Sequence, residues 1–128
     1  MVESTADHSF CKVEPTTENG SIFHEFPLFS PHFVNNVLEG QELIDNLFNM
    51  TCGCWGQVYE RSLWDNLRFS PDVSLGEDTE ILPQVVSRAK RSVYCENAQY
   101  FYRIRAGSLA HHNISKIGCW ECLVQLTE

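Results

Sequence analysis

The pattern of apolar and polar positions changes its period along the chain. In "SFCKVEPTTENGSIFHEF" apolar residues alternate loosely around Asn19–Gly20, a dipeptide suited to a tight turn. Two short strands are predicted there, which such a turn would pair as a hairpin. "FPLFSPHF" places two prolines among aromatics and reads as an extended connector. From Leu38 the spacing becomes helical. In "LEGQELIDNLFNM", Leu43, Leu47 and Met50 stand four and three residues apart, with Ile44 and Phe48 beside them. "WGQVYERSLWDNL" continues with Trp55, Val58, Tyr59, Leu63 and Trp64, so a second, shorter helix is predicted.

A loop, "RFSPDVSLG", precedes "EDTEILPQVV". Ser74 and Glu77 have the S-x-x-E spacing of a capping box, which places a helix start here. Pro83 falls inside that helix, where it removes one hydrogen bond and predicts a kink or a late start. "RSVYCEN" and "AQYFYRIR" are rich in Val, Tyr and Phe and read as two short strands. "AGSLAHHN" is a loop. "SKIGCWECLVQL" reads as a terminal helix packed through Ile117, Trp120, Leu123 and Val124. The predicted fold is therefore α+β, one domain over residues 1–128. Residues 1–37 form an irregular, strand-rich lead-in, and 38–128 carry three to four helices and the short strands.

Composition narrows the function. The length suits one small domain with a real core. A formal net charge of −8 does not suit a nucleic-acid binder, whose affinity comes largely from Lys and Arg meeting phosphates. It gives no reason to expect attraction to anionic lipid either. No apolar run is long enough to cross a bilayer, and "MVESTADHSF" has no apolar signal region, so a cytoplasmic location is expected. In that compartment the six cysteines are expected as free thiols. "CGC" (Cys52–Cys54) and "CWEC" (Cys119–Cys122) leave open a zinc module as a minor reading. No G-x-G-x-x-G, P-loop, repeat or low-complexity tract is present.

The stretch from Trp55 to His111 resembles the C-terminal half of the catalytic domain of family 2 glycosyltransferases, enzymes with a GT-A fold that build polysaccharides from nucleotide-activated sugars. The resemblance rests on a Trp before "RSLWDNLRF", on "GED" opening a helix, and on "YFYRIRAGS" followed by His. It implies an inverting sugar transfer from a nucleotide-sugar to a saccharide acceptor. The D-x-D and the nucleotide-binding strands of the family's other half have no counterpart here. The chain therefore reads as a partial GT-A-like fragment, expected to be inactive alone. The alternative from another class is a non-catalytic interaction or oligomerisation module derived from such an enzyme.

The same resemblance assigns roles. Asp78 is implied as general base, with Glu77 beside it, since the acceptor hydroxyl must lose its proton as it attacks. From the residues alone, both are first-turn carboxylates that complement a helix dipole. The two readings are compatible if Glu77 caps while Asp78 faces the cleft. Arg103 and Arg105 are implied as diphosphate ligands, because guanidinium groups donate paired hydrogen bonds to phosphate oxygens. Ser108 belongs to the same loop and is included among the substrate-binding candidates. His111 is a candidate ligand of a divalent metal, Mn or Mg, expected only in an intact enzyme. Trp55 is a candidate for contact with the acceptor sugar, although such residues are more often core. With half of the fold absent, "VYCE" and "YFYRI" are expected to remain apolar and strand-prone, so a homo-oligomer is expected, burying Val93, Tyr94, Tyr100 and Phe101 or the Trp120 helix.

Overall fold

The structure, a computed structural model, describes residues 5–22, 36–47, 53–74 and 76–107. The terminal helix expected over residues 115–126 lies outside them, as do Ser108, His111 and the "CWEC" pair. The elements are β1 (His8–Thr16), β2 (Val37–Glu39), α1 (Gly40–Asp45), β3 (Gln57–Tyr59), a 3-10 helix (Arg61–Trp64), α2 (Glu77–Val86) and β4 (Arg91–Arg103). The α+β class is as expected. The described residues carry two α-helices rather than three or four.

The four strands form one mixed sheet in the order β2-β4-β1-β3. At its centre β1 and β4 run parallel over nine register pairs, from His8↔Ser92 to Thr16↔Arg103. The register breaks once. Cys11 faces Cys95, but Lys12 faces Gln99, so Glu96, Asn97 and Ala98 bulge out of β4. The two short strands predicted from the sequence are thus one strand of 13 residues with a bulge. The bulge also exchanges the faces. Before it, the even residue Tyr94 meets Phe10 at 5.4 Å between ring centroids. Beyond it, the even residue Tyr102 meets Trp55 at 5.4 Å. No single alternation spans the strand, and its sequence hides that it is continuous.

β2 and β3 close the two sides as antiparallel neighbours. β2 pairs Leu38 with Ser92, and β3 pairs Ser9 with Val58. The predicted helix from Leu38 is therefore corrected: Leu38 lies in β2, fully buried, and only the six residues of α1 are helical before Asn46. The predicted helix over "WGQVYERSLWDNL" is replaced by β3 and the 3-10 helix. Its apolar spacing misled because Val58, read as a core position, points outward from an edge strand at 69% exposure. Two left-handed residues, Gly56 (φ 70°) and Asn66 (φ 62°), bound the segment, and pairing with β1 holds residues 57–59 extended.

The core has two lobes. Phe10, Leu38, Leu43 and Val86 bury one sheet face against α1 and the end of α2. Leu63, Ile81, Leu82 and Val85 join α2 to the 3-10 helix. Val85 and Val86, adjacent on α2, serve one lobe each, and Tyr59 touches both. Pro83 lies within α2, where it withdraws one backbone donor, yet the helix runs on to Val86. Burial of Ile81, Leu82, Val85 and Val86 offsets that loss.

The apolar patch expected to drive self-association is divided by this arrangement. Val93 and Tyr94 lie half-buried where β4 is flanked on both sides, while Tyr100 (42% exposed) and Phe101 (59%) lie in the outer half that, among the described residues, β1 alone pairs.

Gly56 is a sharp local requirement. A Cβ there would stand 3.1 Å from Val13 Cγ2, 3.3 Å from Tyr100 Cβ and 3.4 Å from Cys11 Sγ, in a backbone conformation that L-residues avoid. Its carbonyl also accepts the Cys11 N–H at 2.9 Å, extending the β1–β3 pairing. Gly56→Ala is expected to destabilise the fold by about 1–2 kcal/mol, measured as a lowered urea midpoint with an unchanged denaturant slope.

Candidate functional site

The Glu77–Asp78 pair opens α2, as the sequence predicts, but the cap differs from the one expected. The N-cap is Gly76, in a left-handed conformation at φ 82°, and no side chain caps it. The Ser74–Glu77 capping box does not form. Asp78 Oδ1 instead accepts the backbone N–H of Thr79 at 2.8 Å, close to one of the unpaired donors of the first turn. Gly76 is favoured because only glycine turns left-handed there without strain. The turn leaves Glu77 and Asp78 half-buried at the start of the helix.

These carboxylates sit in the electrostatic environment of the loop before β3. Cys54 is an exposed residue, yet partial desolvation raises its thiol pKa; the charge of Asp78 adds to the rise and that of Glu77 adds less. Burial raises the Tyr59 phenol well above its ordinary value, with Cys54 and Asp78 as further causes. Tyr59 is therefore a neutral donor. Asp78 thus lies within electrostatic reach of Cys54 and Tyr59, although 24 positions separate it from Cys54 in sequence.

A buried polar chain holds Tyr59 in place. Tyr59 donates its hydroxyl to Gln57 Oε1 at 2.9 Å. The same oxygen lies 2.9 Å from His8 Nε2, and His8 Nδ1 lies 2.9 Å from Ser92 Oγ. Gln57 Nε2 donates to the Gly53 carbonyl, which orients the amide. With Oε1 as acceptor, His8 carries its proton on Nε2 and accepts the Ser92 hydroxyl on Nδ1. The His8 ring is buried and stacked between Phe10 at 5.5 Å and Tyr59 at 5.1 Å. Gln57 is the hub: it ties the centre of the sheet to the phenol beside Asp78 and to the loop bearing Cys54 and Trp55.

The other sequence candidates divide. Trp55 is half-buried; its indole covers Gly53, where a Cβ would lie 2.3 Å from the ring, and meets Tyr102 at 5.4 Å. It therefore packs the loop onto β4. Arg103 and Arg105 are exposed at and just beyond the end of β4, where Ile104 N–H bonds the Thr16 carbonyl at 2.8 Å. Among the described residues, no three His, Cys, Asp or Glu side chains are grouped to hold a metal, and Cys11, Cys54 and Cys95 are free thiols. Neither of two surface clefts described, one of about 310 Å³ by Asp7 and Lys90 and one of about 530 Å³ at the β4 bulge, includes Asp78. His8, Gln57, Tyr59 and Ser92 were not singled out by sequence reasoning as partners; the only signal was a polar residue alternating with Phe10 in a strand.

The arrangement is a half-buried carboxylate pair at a helix start, within electrostatic reach of a phenol that ends a polar chain through Gln57, His8 and Ser92. It defines a candidate acid–base site. No family model matches the chain. It is 27% identical over 118 residues to the glycosyltransferase GlyA of Streptococcus pneumoniae serotype 4, an alignment covering 86% of this chain and 16% of that protein. The similarity supports a relationship to glycosyltransferases, and the chain spans less than a fifth of that relative's length. No helix among the described residues is long and apolar enough to cross a membrane.

His8 gives a pH test of the polar chain. Burial lowers its pKa below the ordinary 6.5, the Gln57 bond opposing this in part. Below pH 6.5 the unfolded chain takes up a proton that the folded chain refuses. The His8 contribution to stability is thus complete above pH 6.5 and declines as the pH falls toward the folded-state pKa. The His8 imidazole resonances are expected to stay neutral at pH 6.5, with the urea midpoint falling from pH 7.5 to pH 5.5; half-protonation of His8 at pH 6.5 would contradict the assignment.

Proposed function

We propose that this chain is the acceptor-side portion of an inverting glycosyltransferase of family 2, with a GT-A-type catalytic domain of which the nucleotide-binding half lies outside it. The observation that carries the reading is the half-buried Glu77–Asp78 pair at the start of α2, in a chain whose similarity to a glycosyltransferase extends over most of its length. Asp78 takes the proton of the acceptor hydroxyl as that oxygen bonds the anomeric carbon, while the nucleoside diphosphate leaves from the opposite face. Glu77 shares the first turn, where the dipole favours both charges. The phenol of Tyr59 and the loop at Cys54 border the base. Arg103 and Arg105, exposed at the end of β4, are free to meet a donor diphosphate. Ser108 and His111 complete that loop in this reading, His111 as a ligand of the divalent metal of the intact enzyme. Donor and acceptor are a nucleotide-sugar and a saccharide, in polysaccharide synthesis on the cytoplasmic side.

The test has two arms. The purified chain is expected to transfer no sugar from nucleotide donors with Mn or Mg; turnover by it alone would overturn the fragment reading. In an intact enzyme containing this segment, Asp78→Asn is expected to lower kcat by roughly a hundredfold or more with donor KM little changed. Retained turnover would leave Asp78 a helix-terminal residue only.

The alternative, an interaction module, draws on one observation: Val58 on the β3 edge and Phe101 on β4 are large apolar residues at 69% and 59% exposure. Self-association through such an edge is expected in either reading. Sedimentation at micromolar concentration is expected to show a dimer or larger species that Val58→Lys weakens, and a monomer at all concentrations would refute it.

A further inference from the structure

We propose that Cys11 and Cys95 form a redox site, a facing dithiol that a low-molecular-weight disulfide such as oxidised glutathione converts to an intramolecular disulfide joining β1 to β4. The two residues are register partners in the parallel ladder, the last pair before the bulge. Neighbouring strands lie about 4.8 Å apart, inside the Cα separation of about 4.4–6.8 Å that a disulfide spans. In-register neighbours also project to the same face of a sheet. Each is a free, half-buried thiol. At that separation the two thiols sense each other: burial first, then the neighbouring Cys95, raises the Cys11 thiol pKa.

The site has an entrance. The cleft of about 530 Å³ at the bulge is lined by Cys95 together with Tyr94, Glu96, Asn97 and Asn36. A volume of this order admits a small organic molecule. The bulged residues 96–98 are exposed, so the incoming disulfide reaches Cys95 from solvent. The Cys95 thiolate attacks one sulfur of that disulfide and expels one small thiol, leaving a mixed disulfide. The Cys11 thiolate then attacks the Cys95 sulfur and expels the second. Two protein thiols are oxidised, one external disulfide is reduced to two thiols, and the two protons pass to the leaving thiolates. Burial, which raises the Cys11 pKa, keeps this second attack slow at neutral pH and makes the switch a response to sustained oxidation.

The product would cross-link chain positions 84 apart at the central strand pair, removing conformational freedom from the unfolded chain. It would also hold Cys11 against Gly56, at the end of the loop that carries Cys54 and Trp55.

The test incubates the native chain in glutathione buffers of increasing oxidised fraction, quenches by alkylation, and maps peptides by mass. The expected result is a peptide pair joined through Cys11 and Cys95, lighter by two hydrogens, that grows with the oxidised fraction and disappears on reduction. Oxidation is expected to raise Tm in the wild type and in Cys54→Ser, and to leave Cys11→Ser and Cys95→Ser unchanged. Having two single variants keeps the test intact if one folds poorly. Absence of the Cys11–Cys95 pair at every ratio, or preferential linkage of either residue to another cysteine, overturns the proposal. The readout is independent of sugar transfer, so it stands or falls apart from the glycosyltransferase reading.

Discussion

The parallel pairing of β1 with β4 is the constraint on which the rest of this structure depends. Its partners lie more than eighty positions apart, so the whole intervening chain serves as the crossover that a parallel pair requires. Once the pair forms, His8 faces Ser92 and Phe10 faces Tyr94, β2 adds Leu38 to the same face, and α1 and the end of α2 cover it. The bulge at residues 96–98 then turns the outer half of β4 over, so Tyr100 and Tyr102 meet Gly56 and Trp55 on the opposite face. One irregularity lets a single strand serve two surfaces.

The candidate site inherits its order from that ladder through Gln57. A glutamine suits this position because its amide offers an acceptor to two donors and a donor to a third group. His8, Tyr59 and Gly53 are those groups. A buried polar group left unpaired costs about 1–3 kcal/mol, so the three contacts are mutually enforcing. The result is a neutral histidine in the sheet, a neutral phenol next to Asp78, and a loop held down at Gly53.

The helix start shows how local rules compete. Ser74 and Glu77 satisfy the spacing of a capping box, yet Gly76 is the N-cap, in a left-handed conformation, and no side chain caps the helix. Asp78 then bonds the N–H of the following residue. A carboxylate that engages its own helix backbone through one oxygen is held in a defined orientation. That suits a base that must meet a substrate hydroxyl in a particular direction.

The sequence by itself determined the composition class, the α+β mixture, the presence of a helix at the Glu77–Asp78 pair though not its cap, and the strand character of residues 91–103. These follow from local forces: turn chemistry, the helix dipole and the preference of Val, Tyr and Phe for extended backbone. "GED" made the carboxylate pair legible, and "YFYRIRAGS" the arginines, through resemblance. Only the tertiary structure decided that residues 57–59 are a strand, that Leu38 belongs to β2, and that His8, Gln57, Tyr59 and Ser92 are one chain of hydrogen bonds. It alone placed Cys11 opposite Cys95. The physical reason is the distance along the chain. His8 finds Gln57 49 positions away and Ser92 84 positions away, and no local period records such a partner. Apolar spacing at Trp55, Val58, Tyr59 and Leu63 fits a helix as well as it fits a strand followed by a 3-10 turn. Pairing with β1, not propensity, selected the strand.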